Sequence, residues 1–408
     1  MSRLRYGIAA GVAVIALVVV GIVVTTRDDG PARAPDRAGP TRLVGYFAQW
    51  GVYARDYQVR DVQVSGTAGR LTHLLYAFGS TAQGRCAVGD PQADHERIVT
   101  AENSVDGVAD TAATPLRGNF GQLRKLKAVH PELKILWSFG GWNGSAGFTD
   151  AARDPTAFAE SCRRLLNDPR WAGTFDGIDL DWEYPNACGL QCDSSGRDAP
   201  ARLAAAMRAA LGPASLVTAA ITADGGKLAT ADYASMTTHL DWVMPMTYDY
   251  FGTGSSPGPT APHSALTTYP GIPRAGAAAE TAISHLLDGG VPAGKILLGV
   301  GFYGRGWTGV SQTAPGGTAG GPAPGTYEPG IEDYDRLRKR CPPTGTVGGT
   351  AYARCGDQWW SYDTPETLRT KAAYARDRGL GGAFVWELSG DTPEAALLTA
   401  LASGFSPR

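Results

Sequence analysis

Phe175-Asp-Gly-Ile-Asp-Leu-Asp-Trp-Glu-Tyr-Pro185 places three carboxylates, Asp179, Asp181 and Glu183, at every second position of an apolar run, with Asp176 just ahead of them. Side chains alternate faces along a strand. The three acids therefore share one face, and Ile178, Leu180 and Trp182 take the other. At a rise of roughly 3.3 Å per residue, Asp179 and Glu183 stand about 13 Å apart along the strand. Like charges on one face of a hydrophobic strand repel and desolvate one another, which opposes stability. The same crowding raises the pKa of at least one of them, and a general acid needs that. A metal site or a solvated strand end are the competing readings. A metal would need ligands from other strands, and calcium loops space their acids differently. The interleaved apolar residues argue against full solvation.

Working outward, seven further apolar runs flank this one: Leu43–Trp50, Leu71–Phe78, Lys134–Gly140, Leu216–Ala223, Trp242–Tyr248, Ile296–Tyr303 and Gly382–Leu388. Helical patterns separate them at 118–130, 155–167, 198–211, 276–288 and 364–378, and a last one covers 391–402. Alternating strand and helix implies parallel pairing through right-handed crossovers. Eight such units predict an α/β fold, a (β/α)8 TIM barrel over residues 41–402. An open doubly wound sheet is the alternative, but no GxGxxG turn joins a strand to a helix. One connection is too long for a simple loop. Residues 308–362, between strand 7 and strand 8, read as an inserted α+β subdomain. On a barrel it rises from the C-terminal face, where active sites sit.

The N-terminus carries Arg3 and Arg5 ahead of an apolar run from about Gly7 to Val24. A positive flank before such a run directs export. Its length suits either an uncleaved signal-anchor helix or a long signal peptide over residues 1–26, followed by a flexible linker over 27–40. The expected location is extracellular, secreted or tethered to the outer face of the membrane. The six cysteines fit an oxidising compartment. They allow fifteen pairings, of which Cys188–Cys192, Cys341–Cys355 and Cys86–Cys162 are the simplest. No CxxC accompanies them, which opposes a zinc site. The net charge is -2, and no basic stripe suggests a nucleic-acid partner. Among 408 residues are ten Trp and sixteen Tyr, flat faces suited to stacking on sugar rings as well as to core packing.

The central segment resembles the DGxDxDWEYP signature of glycoside hydrolase family 18, the chitinases and their relatives, in the bacterial type with an α+β insertion. Val44-Gly-Tyr-Phe-Ala-Gln-Trp50 is similar to the family's first strand and Leu71-Thr-His-Leu-Leu-Tyr-Ala-Phe78 to its second. Ser138-Phe-Gly-Gly-Trp142 resembles the SxGG motif of the third, and Met246-Thr-Tyr-Asp249 the motif of the sixth. Gly299-Val-Gly-Phe-Tyr-Gly-Arg305 and Trp386 resemble the seventh and eighth. The sequence departs from the pattern at Pro245, which removes a ladder donor from the sixth strand, and at Gly301, where a proline is common.

The resemblance implies a retaining hydrolysis of β-1,4 linkages between N-acetylglucosamine units, assisted by the substrate's own acetamido group. In that scheme Glu183 protonates the leaving oxygen. Asp181 holds the acetamido N–H, Asp179 modulates Asp181, Tyr248 donates to the acetamido oxygen, and Asp249 assists in the same subsite. Trp386 forms the floor under the sugar. Tyr46, Trp142, Tyr184, Met246, Arg305, Gly140 and Gly141 are further substrate-binding candidates. Tyr46 and Ser138 would also support the carboxylates from inside the barrel, and Arg305 would contact substrate or pair with an acidic neighbour. Trp50, Trp307, Trp359 and Trp360 could line the cleft or fill the core. No metal or organic cofactor is expected, nor any nucleic acid. The expected partner is chitin or a chito-oligosaccharide, the expected state a monomer. The alternatives are a non-catalytic chitin-binding lectin of the same fold, or a hydrolase of peptidoglycan or N-glycan cores.

Overall fold

The eight apolar runs become eight parallel strands. The computed structural model describes residues 41–253 and 258–406, so the apolar N-terminal run and the linker lie outside the described residues. The barrel strands are β1 (Arg42–Ala48), β2 (His73–Gly79), β3 (Lys134–Gly140), β4 (Gly177–Asp181), β5 (Leu216–Ile221), β6 (Trp242–Pro245) and β7 (Leu297–Gly301), with β14 (Gly382–Trp386) last in the chain. Their lateral order is β6-β5-β4-β3-β2-β1-β14-β7. A parallel bridge between Val243 and Ile296 joins the two ends, so the expected (β/α)8 barrel is present and nearly closed.

Alternation along each strand makes two cores. Val44, Tyr46, Leu75, Ala77, Leu136, Met244, Leu297 and Phe384 fill the barrel interior. The other faces, including Phe47, Tyr76, Trp137 and Ile178, pack beneath the outer helices. Each fully buried large side chain contributes roughly 1.5–3 kcal/mol. The helices start where local chemistry allows. At Pro155–Leu166, Asp154 accepts from Ala157 N, and proline occupies the first turn, where its missing N–H is harmless. Thr364 and Pro365 repeat the arrangement at Pro365–Asp377. Among the described residues no helix is long and apolar enough to cross a membrane.

The seventh run divides in two. After β7 the chain turns at Phe302 and enters a second, antiparallel sheet. It comprises β8 (Tyr303–Thr308), β9 (Gly321–Pro322), β10 (Ile331–Asp333), β11 (Gly345–Val347), β12 (Thr350–Cys355) and β13 (Gln358–Tyr362), with a helix at Tyr334–Arg340. Its order is β10-β8-β13-β12-β11, with β9 on β8. Trp307, Trp359 and Trp360 are buried here, and Trp307 and Trp359 pack with centroids 5.6 Å apart. These three belong to the core of the insertion, not to a cleft surface. The cysteines pair as Cys86–Cys162, Cys188–Cys192 and Cys341–Cys355, which leaves no thiolate to bind zinc.

Two strand ends differ from expectation, and both bear on the site. β4 stops at Asp181, so Glu183 lies just past the strand. β6 stops at Pro245, whose missing N–H ends the ladder. Met246 N still donates to Ile221 O at 2.9 Å, but Tyr248 and Asp249 stand on the segment beyond the strand.

Candidate active site

Register brings the interior polar groups together. Asp179 of β4 lies level with Ser138 on β3 and Thr218 on β5. Ser138 Oγ and Thr218 Oγ1 each donate to its carboxylate at 2.7 Å. Tyr46 reaches across the barrel from β1 and donates at 2.7 Å as well. Asp179 is wholly buried. Burial raises its pKa, and the three hydroxyl donors pull it back down. Two residues further on, Asp181 has no such support. Its Oδ1 is buried without a hydrogen-bond partner. Burial first, then Glu183 and Asp179, push its pKa well above the ordinary carboxylate range.

Glu183 follows at the mouth of the barrel. Its backbone N–H donates to Ser145 Oγ at 2.8 Å, and the same hydroxyl is placed to bond the Gly141 and Asp181 carbonyls. Its carboxyl is raised to about 7, chiefly by burial and then by Asp249, against the lowering effects of Tyr184 and Lys227. Gly140 and Gly141 serve the same geometry. Both hold positive φ, and a Cβ on Gly140 would lie 2.3 Å from Asp181 O. On Gly141 it would lie 2.4 Å from the Phe78 ring. Only glycine lets β3 approach β4 and Phe78 so closely.

The β6 side supplies the remaining groups. Tyr248 is buried in the barrel interior beside partly buried Met246. Burial, Tyr303 and the surrounding acids raise its pKa, so its hydroxyl keeps its proton. Asp249 behaves oppositely. Arg305 grips it with two hydrogen bonds, 2.8 Å from Nε and 2.5 Å from Nη2. Tyr303 donates a third at 2.8 Å. The ring Nδ1 of buried His263 lies 3.6 Å away. Burial opposes ionisation of Asp249, but Arg305 outweighs it and holds the group far below the usual carboxylate range. Its side chain is still 38% exposed, as a group on the floor of an open cleft is. Arg305 thus pairs with an acidic neighbour, one of its two expected roles.

Aromatic rings line the opening. Trp386 stacks on Phe78 at 5.7 Å and meets Tyr46 edge-on at 5.3 Å and Trp50 at 6.2 Å. Trp50 and Trp142 are exposed. On the flank of Glu183 lies a shallow pocket bounded by Trp142, Thr149, Tyr184, Leu190 and Asp193. The Cys188–Cys192 disulfide and Asp193 brace its outer wall. Asp193 accepts from Asn186 N, Ser195 N, Ser195 Oγ and Thr149 Oγ1. Sequence reasoning missed Thr218, Tyr303, His263 and Lys227. Thr218 had a legible signal, a lone hydroxyl in the apolar strand LVTAAI. Tyr303 stood in the Gly299–Arg305 motif two residues before Arg305, whereas His263 and Lys227 are joined to the site only through space.

An eight-stranded parallel barrel with two neighbouring carboxyls and aromatic rings at its C-terminal mouth has the build of a glycosidase. The chain belongs to the glycosyl hydrolases family 18, whose description matches residues 42–391. It is 56% identical over 375 residues to chitinase C of Streptomyces lividans, covering 91% of this chain and 60% of that one. With chitinase 63 of Streptomyces plicatus it shares 55% over 387 residues, covering 94% and 63%. The chain therefore spans less than two thirds of the length of these relatives. Among solved structures, the catalytic domain of psychrophilic chitinase B from Arthrobacter TAD20 superposes with a TM-score of 0.83. It is 35% identical, with 90% of this chain and 95% of that one covered.

Proposed function

We propose that this protein is a chitinase that cleaves β-1,4 bonds between N-acetylglucosamine units with retention of configuration, assisted by the substrate's 2-acetamido group. The reading is carried by the Asp181–Glu183 pair: two neighbouring carboxyls that burial holds above their ordinary pKa, with a buried Asp181 oxygen lacking a partner. Names of the relatives that span most of this chain support the same substrate class.

Glu183 keeps its proton up to about pH 7 and delivers it to the glycosidic oxygen as the C1–O bond breaks. Retaining enzymes ordinarily place a second carboxylate beside the anomeric carbon as nucleophile. Asp181 is a poor one, because burial and its two acidic neighbours favour its protonated form. The acetamido oxygen attacks C1 instead, and positive charge develops on the amide. Asp181 accepts a hydrogen bond from the amide N–H through its unpartnered oxygen and orients the group. Tyr248 donates to the acetamido oxygen and orients it. Asp249, ionised and clamped by Arg305, adds a fixed negative charge near the same ring. Trp386 carries the sugar's apolar face. Water then opens the ring intermediate, and Glu183, now ionised, takes its proton. Export is supported by three disulfides in a chain without free cysteine.

The test is chromophore release from a chitobiose glycoside, comparing the native protein with Glu183→Gln. A general acid is worth about 10²–10⁴ in rate, and a loss of that size is expected. Equal rates would remove Glu183 from the role. The same glycoside without its N-acetyl group should not be cleaved. Product profiles on chitin oligomers, peptidoglycan and a glycoprotein fix the polymer.

A further inference from the structure

Lys227 sits on the short helical turn Gly225–Leu228 that follows β5. Asp224 anchors the turn, accepting from Gly226 N and Lys227 N at 3.0 and 3.2 Å. Asp224 also pairs with Arg274 at 2.5 Å. Arg274 donates to Tyr250 O at 2.8 Å, which ties the turn to the chain just after Asp249. From this platform the Lys227 ammonium lies 4.0 Å from the centroid of the Tyr184 ring. A cation over an aromatic face is held by the ring quadrupole. Tyr184 in turn follows Glu183 in the chain, and the two line the same pocket.

The groups that act on Glu183 divide by sign. Asp181 from β4 and Asp249 from the segment after β6 oppose its ionisation. Tyr184 and Tyr248 are neutral phenols whose own ionisation the surrounding acids oppose. Arg305 is committed to Asp249 by two hydrogen bonds. Lys227 is the cation that favours the ionised carboxyl. It is itself half-buried, with Asp224 and Arg274 as its other charged neighbours. The proposed cycle uses Glu183 twice, protonated in the first step and ionised in the second. Two acids alone would hold it protonated and leave little of the ionised form that the second step needs, and a nearby cation restores part of that fraction.

We propose that Lys227 is a positioning residue for the catalytic acid: seated on the Tyr184 ring, it holds that ring in the pocket it shares with Glu183 and sets a positive charge beside the carboxyl. This rests on Glu183 being the acid of the proposed reaction. The experiment measures kcat/KM against pH on a chromogenic chitobiose glycoside for the native protein, Lys227→Met, Lys227→Arg and Glu183→Gln, at low and high salt. Methionine keeps the packing of the stem and removes the charge. In Lys227→Met the alkaline limb should move up by about half a pH unit, a screened fraction of what a close opposite charge produces. At pH values above the limb that is about threefold more of the maximal rate. Salt should narrow the separation between the native and Lys227→Met limbs, while Lys227→Arg should match the native profile. The position of a limb does not depend on how much protein is folded. An unshifted limb in Lys227→Met overturns the proposal, as does an equal shift in Lys227→Arg. Full activity in Glu183→Gln would instead overturn the underlying assignment.

Discussion

At the residue scale, the segment 175–185 separates its acids by environment rather than by type. Asp179 has three hydroxyl donors, Asp181 leaves one oxygen without a partner, and Glu183 stands where the strand has ended. This gradient was partly legible, because strand alternation alone placed the three on one face. Of its donors, Tyr46 and Ser138 were anticipated as supports from inside the barrel, whereas Thr218, level with Asp179 on the neighbouring β5, was not. A stability consequence follows from Glu183. Its pKa is about 7 in the folded protein, against roughly 4.3 for a free glutamate. Between these values the folded state retains a proton that the unfolded state has lost. Stability therefore falls as pH rises through that window and is level above it. Glu183→Gln lacks this penalty. Its Tm should match the native protein's at pH 4 and exceed it at pH 8 by on the order of a few degrees. Melts across pH 4–8 check this, and a constant difference would show that burial of the charge is not the cause.

At the element scale, the strands were readable because buried parallel strands are continuous apolar runs. Their ends were not. Trp242–Tyr248 stays apolar past Pro245, yet the ladder stops there, and this is what frees Tyr248 and Asp249 to turn into the cleft. Composition likewise cannot tell a cleft tryptophan from a core one, so Trp307, Trp359 and Trp360 became assignable only when β8 and β13 were seen paired. Where the chain leaves the insertion, just past β13, a buried ion pair ties it to the next helix and to the loop after β6. Lys371, on the helix Pro365–Asp377, donates to Asp363 at 2.6 Å and to Ser264 O at 2.6 Å. Ser264 Oγ completes the cluster by bonding Asp363 at 2.9 Å. Both charged side chains are almost fully buried. Lys371→Met would leave Asp363 buried and uncompensated, at a cost of about 3–5 kcal/mol. Denaturant melts should show that loss, and Asp363→Asn combined with Lys371→Met should recover most of it. A double variant as weak as the single would mean that the stem of Lys371, not its charge, matters there.

For the whole molecule, the disulfides tie together parts of very different separation. Cys86–Cys162 joins the segment after β2 to the helix Pro155–Leu166, 76 residues apart in sequence. Cys341–Cys355 spans 14 residues within the insertion, and Cys188–Cys192 spans 4 beside the cleft. A cross-link restricts the unfolded chain more as the loop it closes lengthens. Chain entropy gives about 4.5 kcal/mol for the longest loop and about 3 kcal/mol for the middle one. The shortest closes a loop too tight for that relation, and its consequence is local: it braces the pocket wall at Leu190 rather than the fold. Paired Cys→Ala variants should therefore rank in stability loss as Cys86/Cys162, then Cys341/Cys355, then Cys188/Cys192. Activity should rank differently. Loosening the Cys188–Cys192 loop disturbs the wall beside Glu183, so this variant should raise KM for long oligomers while leaving Tm nearly unchanged. Denaturant midpoints, together with kcat and KM on a short and a long chito-oligosaccharide, separate the two orders. If the Cys188/Cys192 variant lost stability like the others and kept its KM, that disulfide would belong to the scaffold and not to the cleft.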